Sequence, residues 1–313
     1  MIEIGAVTFD ITNRCDFKCK HCYKELNKEP IYLDIDLIKS FLNKLGNKRK
    51  LIVISGGEPL LHPKCITLLN AIADEYKVRL NTNGYRLNEH VMQLKKIPNL
   101  EIQVSLDGYN RKTYYEIRNN YFFDTVLNNI RMALKENLNV HLCATLTSKT
   151  INSYTQFIQL SKKMGAKLIM RPMVNTGTRA QQDLKISYEQ LKKWAEEISK
   201  KKIYSYTAGQ TAISANACPL LMDKPGIGNL TVDNLGNIYP CSFLRGRNFY
   251  LGNISDTDGQ ALENNCQQCI TQLNGIFNSR ECKMCGFRKK FGNGTCLAAC
   301  FFSNKECIMD LVK

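Results

Sequence analysis

The chain contains 313 residues, enough for about two domains of ordinary size. Hydrophobic residues make up 44% of it, which supports ordinary buried cores and excludes collagen-like, low-complexity and wholly disordered proteins. Lysine and arginine outnumber aspartate and glutamate, 43 against 28, so the net charge is +15. A basic surface of this kind favours an acidic partner.

The short runs of β-branched residues alternate with helical patterns from residue 5 to about residue 200. The predicted strands cover 7–11, 51–54, 78–81, 102–106, 140–146 and 167–170, and the predicted helices cover 33–45, 64–76, 88–96, 124–136, 154–164 and 188–200. Strands and helices in alternation are typical of βα units. We therefore predict an α/β fold with a parallel, barrel-like sheet.

The pattern fades from about residue 203, where Gly, Asn and Cys become frequent. We expect a first domain over 1–202, a linker over 203–216 and a small domain over 217–313. A small domain with little apolar core needs bound metal to hold its loops. Short basic runs at 48–50, 200–202 and 288–290 are dispersed and lack an RNA-binding motif, so nucleic acid is not the expected partner.

The 14 cysteines are unevenly distributed: five lie in the first 150 residues, none between 144 and 217, and nine follow. Residues 1–15 lack the basic segment of a signal peptide and carry Glu3 and Asp10, and no apolar run is long enough to span a membrane. We therefore expect a cytoplasmic protein. In that compartment clustered cysteines bind metal or react, and a disulfide framework is the less favoured alternative.

Unusual residues follow the predicted strands, at the edge where parallel sheets carry functional loops. They are Cys15, Cys19 and Cys22 after the first strand, Gly56, Gly57, Glu58 and Pro59 after the second, Asn83 after the third and Ser105 at the end of the fourth. Three thiolates suit an iron–sulfur cluster and leave one iron of a four-iron cube open. A zinc site is the alternative, but its fourth ligand, His21, adjoins Cys22 and would strain the tetrahedron.

The run from Cys15 to Tyr23 resembles the signature of the radical S-adenosylmethionine (radical SAM) superfamily, and Gly56 to Pro59 resembles its second motif. The resemblance implies a partial (β/α)6 TIM-like barrel and a 4Fe-4S cluster on Cys15, Cys19 and Cys22. It also implies that S-adenosylmethionine chelates the fourth iron. An external reductant, such as flavodoxin or ferredoxin, would then drive its cleavage to a 5′-deoxyadenosyl radical that abstracts a substrate hydrogen.

The residue types of the second motif also indicate a binding role, independently of the resemblance. Gly56 and Gly57 let the backbone approach a ligand without a Cβ clash, and Glu58 offers an acceptor for an ammonium group. A plain turn before Pro59 is the alternative reading.

The resemblance implies further contacts with S-adenosylmethionine. Ser105 and Arg118 stand where similar enzymes contact the ribose and carboxylate, and Asn83 is a further candidate for the pocket. His21 occupies the position of an aromatic residue that stacks on adenine in relatives. Asp107 and Gly108 are expected to form a turn.

The C-terminal cysteines resemble the SPASM extension of radical SAM enzymes, except that ten residues rather than five separate Cys285 from Cys296. By position, a second auxiliary cluster would use Cys282, Cys285, Cys296 and Cys307, and a first would use Cys218, Cys241 and Cys300. Either Cys266 or Cys269 could complete the first cluster. Alternatively that cluster keeps an open iron for a substrate thiolate, and the pair forms a zinc half-site or buried thiols.

The other two cysteines, Cys65 and Cys143, fall on a predicted helix and a predicted strand. Buried, structural thiols are the expected role of both. Cys143 could also donate a hydrogen atom near the centre of the barrel.

Enzymes with a SPASM extension most often modify peptides or proteins. Ser242 follows Cys241, where anaerobic sulfatase-maturing enzymes carry an Asp, so that subclass is less favoured. We predict maturation of a ribosomally synthesised peptide by a thioether or carbon–carbon cross-link, or by epimerisation. The first strand begins almost at once, so a leader peptide would bind the basic surface or a separate leader-binding protein, or would be dispensable.

Two other classes of function stay open. One is a sulfatase-maturing or cofactor-biosynthesis radical SAM enzyme. The other is a non-catalytic, zinc-stapled module that binds nucleic acid or protein.

Overall fold

The computed structural model describes residues 3–24, 29–46, 50–173, 182–187, 189–190, 193–194, 196–197, 226–227 and 229–278. The strands are β1 (Glu3–Ile4), β2 (Ala6–Asp10), β3 (Leu51–Ser55), β4 (Lys77–Thr82), β5 (Leu100–Ser105), β6 (Asn139–Leu146), β7 (Lys167–Pro172), β8 (Gly226–Ile227), β9 (Leu230–Val232), β10 (Asn237–Tyr239) and β11 (Gly252–Asn253). The helices are α1 (Ile35–Leu45), α2 (Cys65–Ile72), α3 (Leu87–Leu94), α4 (Arg111–Arg118), α5 (Phe123–Lys135), α6 (Tyr154–Met164) and α7 (Gly259–Asn278).

The main sheet has the order β11-β10-β9-β2-β3-β4-β5-β6-β7. Strands β2 to β7 are parallel neighbours in chain order, which confirms the predicted α/β fold with a parallel, barrel-like sheet. Beyond β2, the sheet continues through β9, which is parallel to it, and through the antiparallel β10 and β11. The strands after residue 229 therefore share one sheet with the barrel, while the domain boundaries at 203–216 stay a prediction.

The two faces of the parallel sheet differ in polarity because successive side chains point to opposite sides. On the outer face, Val7, Phe9 and Ile52 are completely buried beneath the helices. The inner face is polar: Asp10 lies opposite Ser55, and Asn81 lies opposite Gln103 in the register. A polar inner face at the centre of a barrel provides the surroundings for a polar ligand.

Helix α6 has the predicted bounds, and α1, α2, α3 and α5 differ from the predicted segments only near their ends. The predicted helix over 188–200 lies largely outside the described residues. Helix α4 was not predicted. It begins with a capping box. The Asn110 side-chain oxygen accepts a hydrogen bond from the Thr113 backbone N–H, and the Thr113 hydroxyl oxygen accepts one from the Asn110 backbone N–H.

The expectation that helical order is lost after residue 203 is wrong for α7, which covers Gly259–Asn278. Its buried residues recur three and four positions apart, as on one face of a helix, at Leu262, Cys266, Cys269, Ile270 and Leu273. The expectation of little apolar core is also wrong for 229–278, because these side chains join the main hydrophobic cluster. Among the described helices, none combines the length and apolarity needed to cross a bilayer.

Candidate active site

The loop that carries the first three cysteines follows β2 at the carboxyl edge of the sheet. Asn13 closes the base of this loop: its side chain accepts a hydrogen bond from the Ile31 backbone at 2.7 Å and donates one to the Glu29 carbonyl at 3.0 Å. Phe17, 2% exposed, anchors the middle of the loop and stacks on Phe122 with ring centroids 5.9 Å apart. The loop is therefore held at both its base and its centre.

The predicted second motif packs directly against this loop. The Gly57 backbone donates to the Thr12 carbonyl at 2.7 Å, and the Glu58 backbone donates to the Arg14 carbonyl at 2.8 Å. A Cβ on Gly57 would lie 2.1 Å from the Arg14 carbonyl oxygen, and Gly56 has a φ of +138°. Only glycine permits this approach, so the plain-turn reading misses the contact that the paired glycines make.

The Glu58 carboxylate joins the second motif to the end of β4. It accepts from the Thr82 hydroxyl at 2.7 Å, from the Asn83 backbone at 2.7 Å and from the Leu60 backbone at 3.1 Å. Complete burial raises the pKa of Glu58 to about 7. Pro59 begins the short 3-10 turn that contains Leu60. The predicted role of the Glu58 carboxylate, as acceptor for an ammonium group, stays a prediction.

Asn83 reaches from the end of β4 to the cysteine loop. Its side-chain amide donates to Asp16 at 2.7 Å, and its side-chain oxygen accepts from the Tyr85 backbone at 2.8 Å. With its backbone bound to Glu58, Asn83 connects the cysteine loop, the second motif and β4. The structure thus brings together these three parts of the predicted site.

Asp107, expected only to form a turn, is the centre of a buried cluster of charged groups. Its carboxylate lies 2.6 Å from the Arg118 Nε and 3.3 Å from the His21 Nε2. It also accepts from the Thr145 backbone at 2.7 Å. Burial alone would raise the pKa of Asp107, but the Arg118 and His21 side chains hold it well below its ordinary value.

Arg118 contacts both the Asp107 carboxylate and the Cys19 thiol. Its guanidinium lies 3.4 Å from the Cys19 Sγ as a hydrogen-bond donor. Burial would lower the pKa of Arg118, yet Asp107 and Cys19 raise it well above its ordinary value, so it carries a fixed positive charge. The predicted contacts of Arg118 with a ligand carboxylate and of His21 with adenine stay predictions.

The donor set fits an iron–sulfur cluster. Cys19 is buried and Cys15 and Cys22 are half-buried, so the three thiols are at least partly shielded from water at one end of the barrel. Burial raises the pKa of Cys15 to about 12, and a thiolate there therefore needs a neighbouring positive charge, which iron supplies. Across the described ranges, no three His, Cys, Asp or Glu side chains are placed to hold a single metal ion.

Several buried polar atoms are suited to a polar ligand. The side-chain oxygens of Asn81 and Gln103 and the Nδ1 of His21 are buried without a hydrogen-bond partner in the described part of the chain. Buried polar atoms are normally paired, so these atoms offer contacts to a ligand. Ser105 lies at the end of β5 opposite Cys143, and its predicted contact with the ribose stays a prediction.

The described C-terminal cysteines lie near one another. Cys266 and Cys269 are on the buried face of α7, and burial raises their pKa values to about 12 and about 11. A charge on Cys241 adds to the increase at Cys269, which indicates that these two thiols are neighbours. Cys65 is buried in α2 as predicted. The remaining predicted ligands lie outside the described residues; they are Cys218, Cys282, Cys285, Cys296, Cys300 and Cys307.

A second group of charges, missed from the sequence, joins the cysteine loop to the C-terminal segment. The Asp10 carboxylate, at the end of β2, lies 2.6 Å from the Lys24 Nζ and 2.7 Å from the Arg245 guanidinium. Beside this pair, the Tyr23 and Phe243 rings have centroids 5.1 Å apart. Asp10 is a charged residue among the apolar residues of a predicted strand, and this was the one sign in the sequence that it has a charged partner.

Comparison with known proteins agrees with this geometry. The model of the radical SAM superfamily matches residues 9–159, which span the cysteine loop, the second motif and the Asp107 cluster. These residues form a radical SAM domain. The superfamily uses a four-iron four-sulfur cluster and S-adenosylmethionine, so the predicted family, enzyme class and cofactors of this radical SAM domain are confirmed.

Three similar proteins extend the match over the rest of the chain. The mycofactocin maturase MftC of Mycobacterium tuberculosis is 27% identical over 95% of this chain and 79% of its own length. Streptococcus suis SuiB bound to precursor peptide SuiA has a TM-score of 0.73 at 15% identity, covering 98% of this chain and 76% of its own. Native anSMEcpe with bound AdoMet and Cp18Cys peptide has a TM-score of 0.69 at 16% identity, covering 97% and 91%.

Proposed function

We propose that this radical SAM enzyme matures a peptide in the cytoplasm. The observation that carries the radical SAM chemistry is the contact between the cysteine loop and the second motif, made by the hydrogen bonds of Gly57 and Glu58. Cys15, Cys19 and Cys22 hold the cluster. The adjoining side chains of Glu58, Asn83, Ser105, Arg118 and His21, with the backbone of Gly56, Gly57 and Pro59, line the place for S-adenosylmethionine.

When bound, the cluster and S-adenosylmethionine supply an organic radical that removes a hydrogen atom from the substrate. The residues of this chain supply position and shielding, as proteins do for such cofactors. Arg118 places a fixed positive charge beside Cys19, and Asp107 holds Arg118 there. The buried oxygens of Asn81 and Gln103 would accept hydrogen bonds from a ligand in the barrel. The electron comes from an external reductant such as flavodoxin or ferredoxin.

The peptide class of substrate is supported by the similar proteins. MftC is named a maturase of mycofactocin, and SuiB and anSMEcpe were solved with peptides. The similarity to MftC extends beyond the radical SAM domain over 95% of this chain. We propose a thioether or carbon–carbon cross-link, or an epimerised residue, as the product. A separate leader-binding protein is a further proposed partner.

We propose that the C-terminal segment holds auxiliary clusters. We assign Cys241 to the first of them, with Cys269 favoured over Cys266 for its vacant position because Cys269 is the neighbour of Cys241. The other proposed ligands are Cys218 and Cys300 for this cluster and Cys282, Cys285, Cys296 and Cys307 for the second.

The substrate assignment is tested by co-expression with a short peptide encoded beside the gene, followed by mass spectrometry. A cross-link removes two hydrogen atoms from the peptide, and epimerisation leaves the mass unchanged but incorporates deuterium from D2O. The matched control is co-expression with the enzyme in which Cys15, Cys19 and Cys22 are replaced by Ala. A peptide that shows the same products with both enzymes, or none with either, would contradict the assignment.

A further inference from the structure

Helix α4 contacts the cysteine loop at two points. Its buried side carries Arg118, which lies 3.4 Å from the Cys19 Sγ. Its last turn also accepts a backbone hydrogen bond from Lys20, the neighbour of Cys19, at the Ile117 carbonyl over 2.9 Å. One helix thus separates a cluster ligand from solvent, and its outer side is the surface next to that ligand.

The outer side carries aromatic rings that are exposed to water. The rings of Tyr115 and Tyr121 stack with centroids 4.4 Å apart and planes 14° from parallel. Tyr121 is 80% exposed and Tyr115 is 36% exposed. Large exposed aromatic groups mark interaction sites because tyrosine gives a rigid contact area at low entropic cost.

Lysine side chains lie on the same surface. The Lys20 Nζ lies 5.8 Å from the centre of the Tyr115 ring, within the range of a cation–π contact. Lys112 is exposed one turn before Tyr115 on the helix. An acidic group nearby, Asp183, forms an ion pair with Lys149 at 2.7 Å. We call Lys20, Lys112, Tyr115 and Tyr121 the α4 patch.

We propose that the α4 patch is the docking surface for an acidic one-electron donor protein. The proposal rests on the proposed function. The donor loses one electron and the cluster on Cys15, Cys19 and Cys22 gains it, with no bond made or broken at the patch. Two observations favour this occupant over an acidic peptide. The patch is the convex face of a helix rather than a groove or a sheet edge, which peptides use, and Lys20 is covalently joined to Cys19, so the electron path is short.

Electron-transfer partners form small, weak and charge-steered complexes. The test uses the double variant Lys112→Glu with Tyr121→Ser, which leaves Lys20 and the cysteine loop unchanged. Lys167→Glu is the matched control, because Lys167 is an exposed lysine at the start of β7, on the opposite edge of the sheet. Reduced flavodoxin is the donor. Dithionite, a small reductant that needs no docking surface, is the comparison.

The primary readout is the rate of cluster bleaching after mixing with reduced flavodoxin at low salt. We expect the double variant to be slower than the unchanged enzyme by at least about tenfold, the lower range of electrostatic steering. We expect the Lys167→Glu variant to be unaffected, and all three proteins to have equal iron content and equal bleaching rates with dithionite.

Equal flavodoxin rates in the double variant and the unchanged enzyme would overturn the proposal. If those rates are equal while the double variant binds the peptide more weakly, the patch binds peptide instead. An unchanged enzyme that holds iron but forms no 5′-deoxyadenosine with dithionite would refute the proposed function, and the docking proposal with it.

Discussion

The Asp107 carboxylate shows how one buried side chain can organise the site. It contacts Arg118 from α4, His21 from the cysteine loop and the Thr145 backbone from β6. A buried ion pair adds little net stability over an apolar pair, but losing one partner leaves an uncompensated charge. We therefore expect Asp107 to position the groups around Cys19.

Replacing Asp107 with Asn is expected to reduce the free energy of unfolding by about 3 kcal/mol, because Arg118 would stay buried without its counter-charge. Urea denaturation measures this change. Asp124→Asn is the matched control, since Asp124 forms an exposed ion pair with Arg111 at the same distance of 2.6 Å. Exposed pairs contribute little, so a loss as large in the control as in Asp107→Asn would contradict the assignment.

In the protein without cluster or S-adenosylmethionine, Glu58 makes the free energy of unfolding depend on pH. Its pKa in the folded chain is about 7, above the ordinary 4.5, so the folded state holds the proton more tightly. The stabilisation is complete below pH 4.5 and is lost as the pH rises through 7. We expect a loss of up to about 3 kcal/mol, at about 1.4 kcal/mol for each pKa unit.

The measurement is the free energy of unfolding at pH 5 and pH 8 for the unchanged protein and for Glu58→Gln. The variant cannot ionise at this position, so its stability should change less between the two pH values. An identical change in the two proteins would assign the pH dependence to other groups.

Some residues of the site could be predicted from the sequence, and others could not. Cys15, Cys19 and Cys22 were identified by spacing, and Gly56 to Pro59 by their position after a strand. The role of Asp107 could not be predicted, because its partners come from a loop, a helix and a strand that only the folded chain brings together. Lys24 and Arg245 were missed for the same reason, since both meet Asp10 through tertiary contacts.

The second motif and the cysteine loop act as one structural unit. The backbone hydrogen bonds of Gly57 and Glu58 fix residues 12–14, which lead directly into Cys15. Because Gly57 approaches the Arg14 carbonyl so closely, the conformation of the cysteine loop depends on the absence of a side chain at this position.

Gly57→Ala is therefore expected to impair cluster binding. Its Cβ would lie 2.1 Å from the Arg14 oxygen, so the loop must move, and we expect most of the iron to be lost after anaerobic reconstitution. Gly275→Ala is the matched control, because nothing lies within 4 Å of a Cβ there and alanine favours a helix. Full iron content in Gly57→Ala would show that the contact is dispensable.

The helices and strands were predicted best where periodicity is strong. Strands β2 to β7 and helix α6 follow from apolar runs and amphipathic spacing. Helix α4 was missed because its polar face dominates the pattern, although Asn110 and Thr113 form a recognisable cap. Helix α7 was missed because the helical pattern was expected to fade after residue 203, although the buried residues of α7 recur along one helix face.

The barrel and the C-terminal segment form one structure in the described residues. Strand β9 pairs with β2, and the Asp10 carboxylate joins Lys24 of the cysteine loop to Arg245. Burial would raise the pKa of Asp10, but both cations lower it. The C-terminal segment therefore helps to hold the end of the cysteine loop in place.

Removing this link should loosen the C-terminal segment. Arg245→Ala leaves Asp10 with Lys24 alone, and we expect a loss of about 2 kcal/mol, typical of a hydrogen bond to a charged group, with faster limited proteolysis after residue 229. Arg131→Ala is the control, since Arg131 makes an exposed hydrogen bond to Asn128. Equal proteolysis rates in the two variants would remove Arg245 from this role.

The most direct test of the whole account is the formation of 5′-deoxyadenosine by the anaerobically reconstituted protein with dithionite and S-adenosylmethionine, measured by liquid chromatography. The unchanged protein and Cys65→Ala, which removes a buried thiol of α2 that is not a proposed cluster ligand, are expected to form it. The variant in which Cys15, Cys19 and Cys22 are all replaced by Ala is expected to form none. Product from that triple variant at the rate of the unchanged protein would contradict the account.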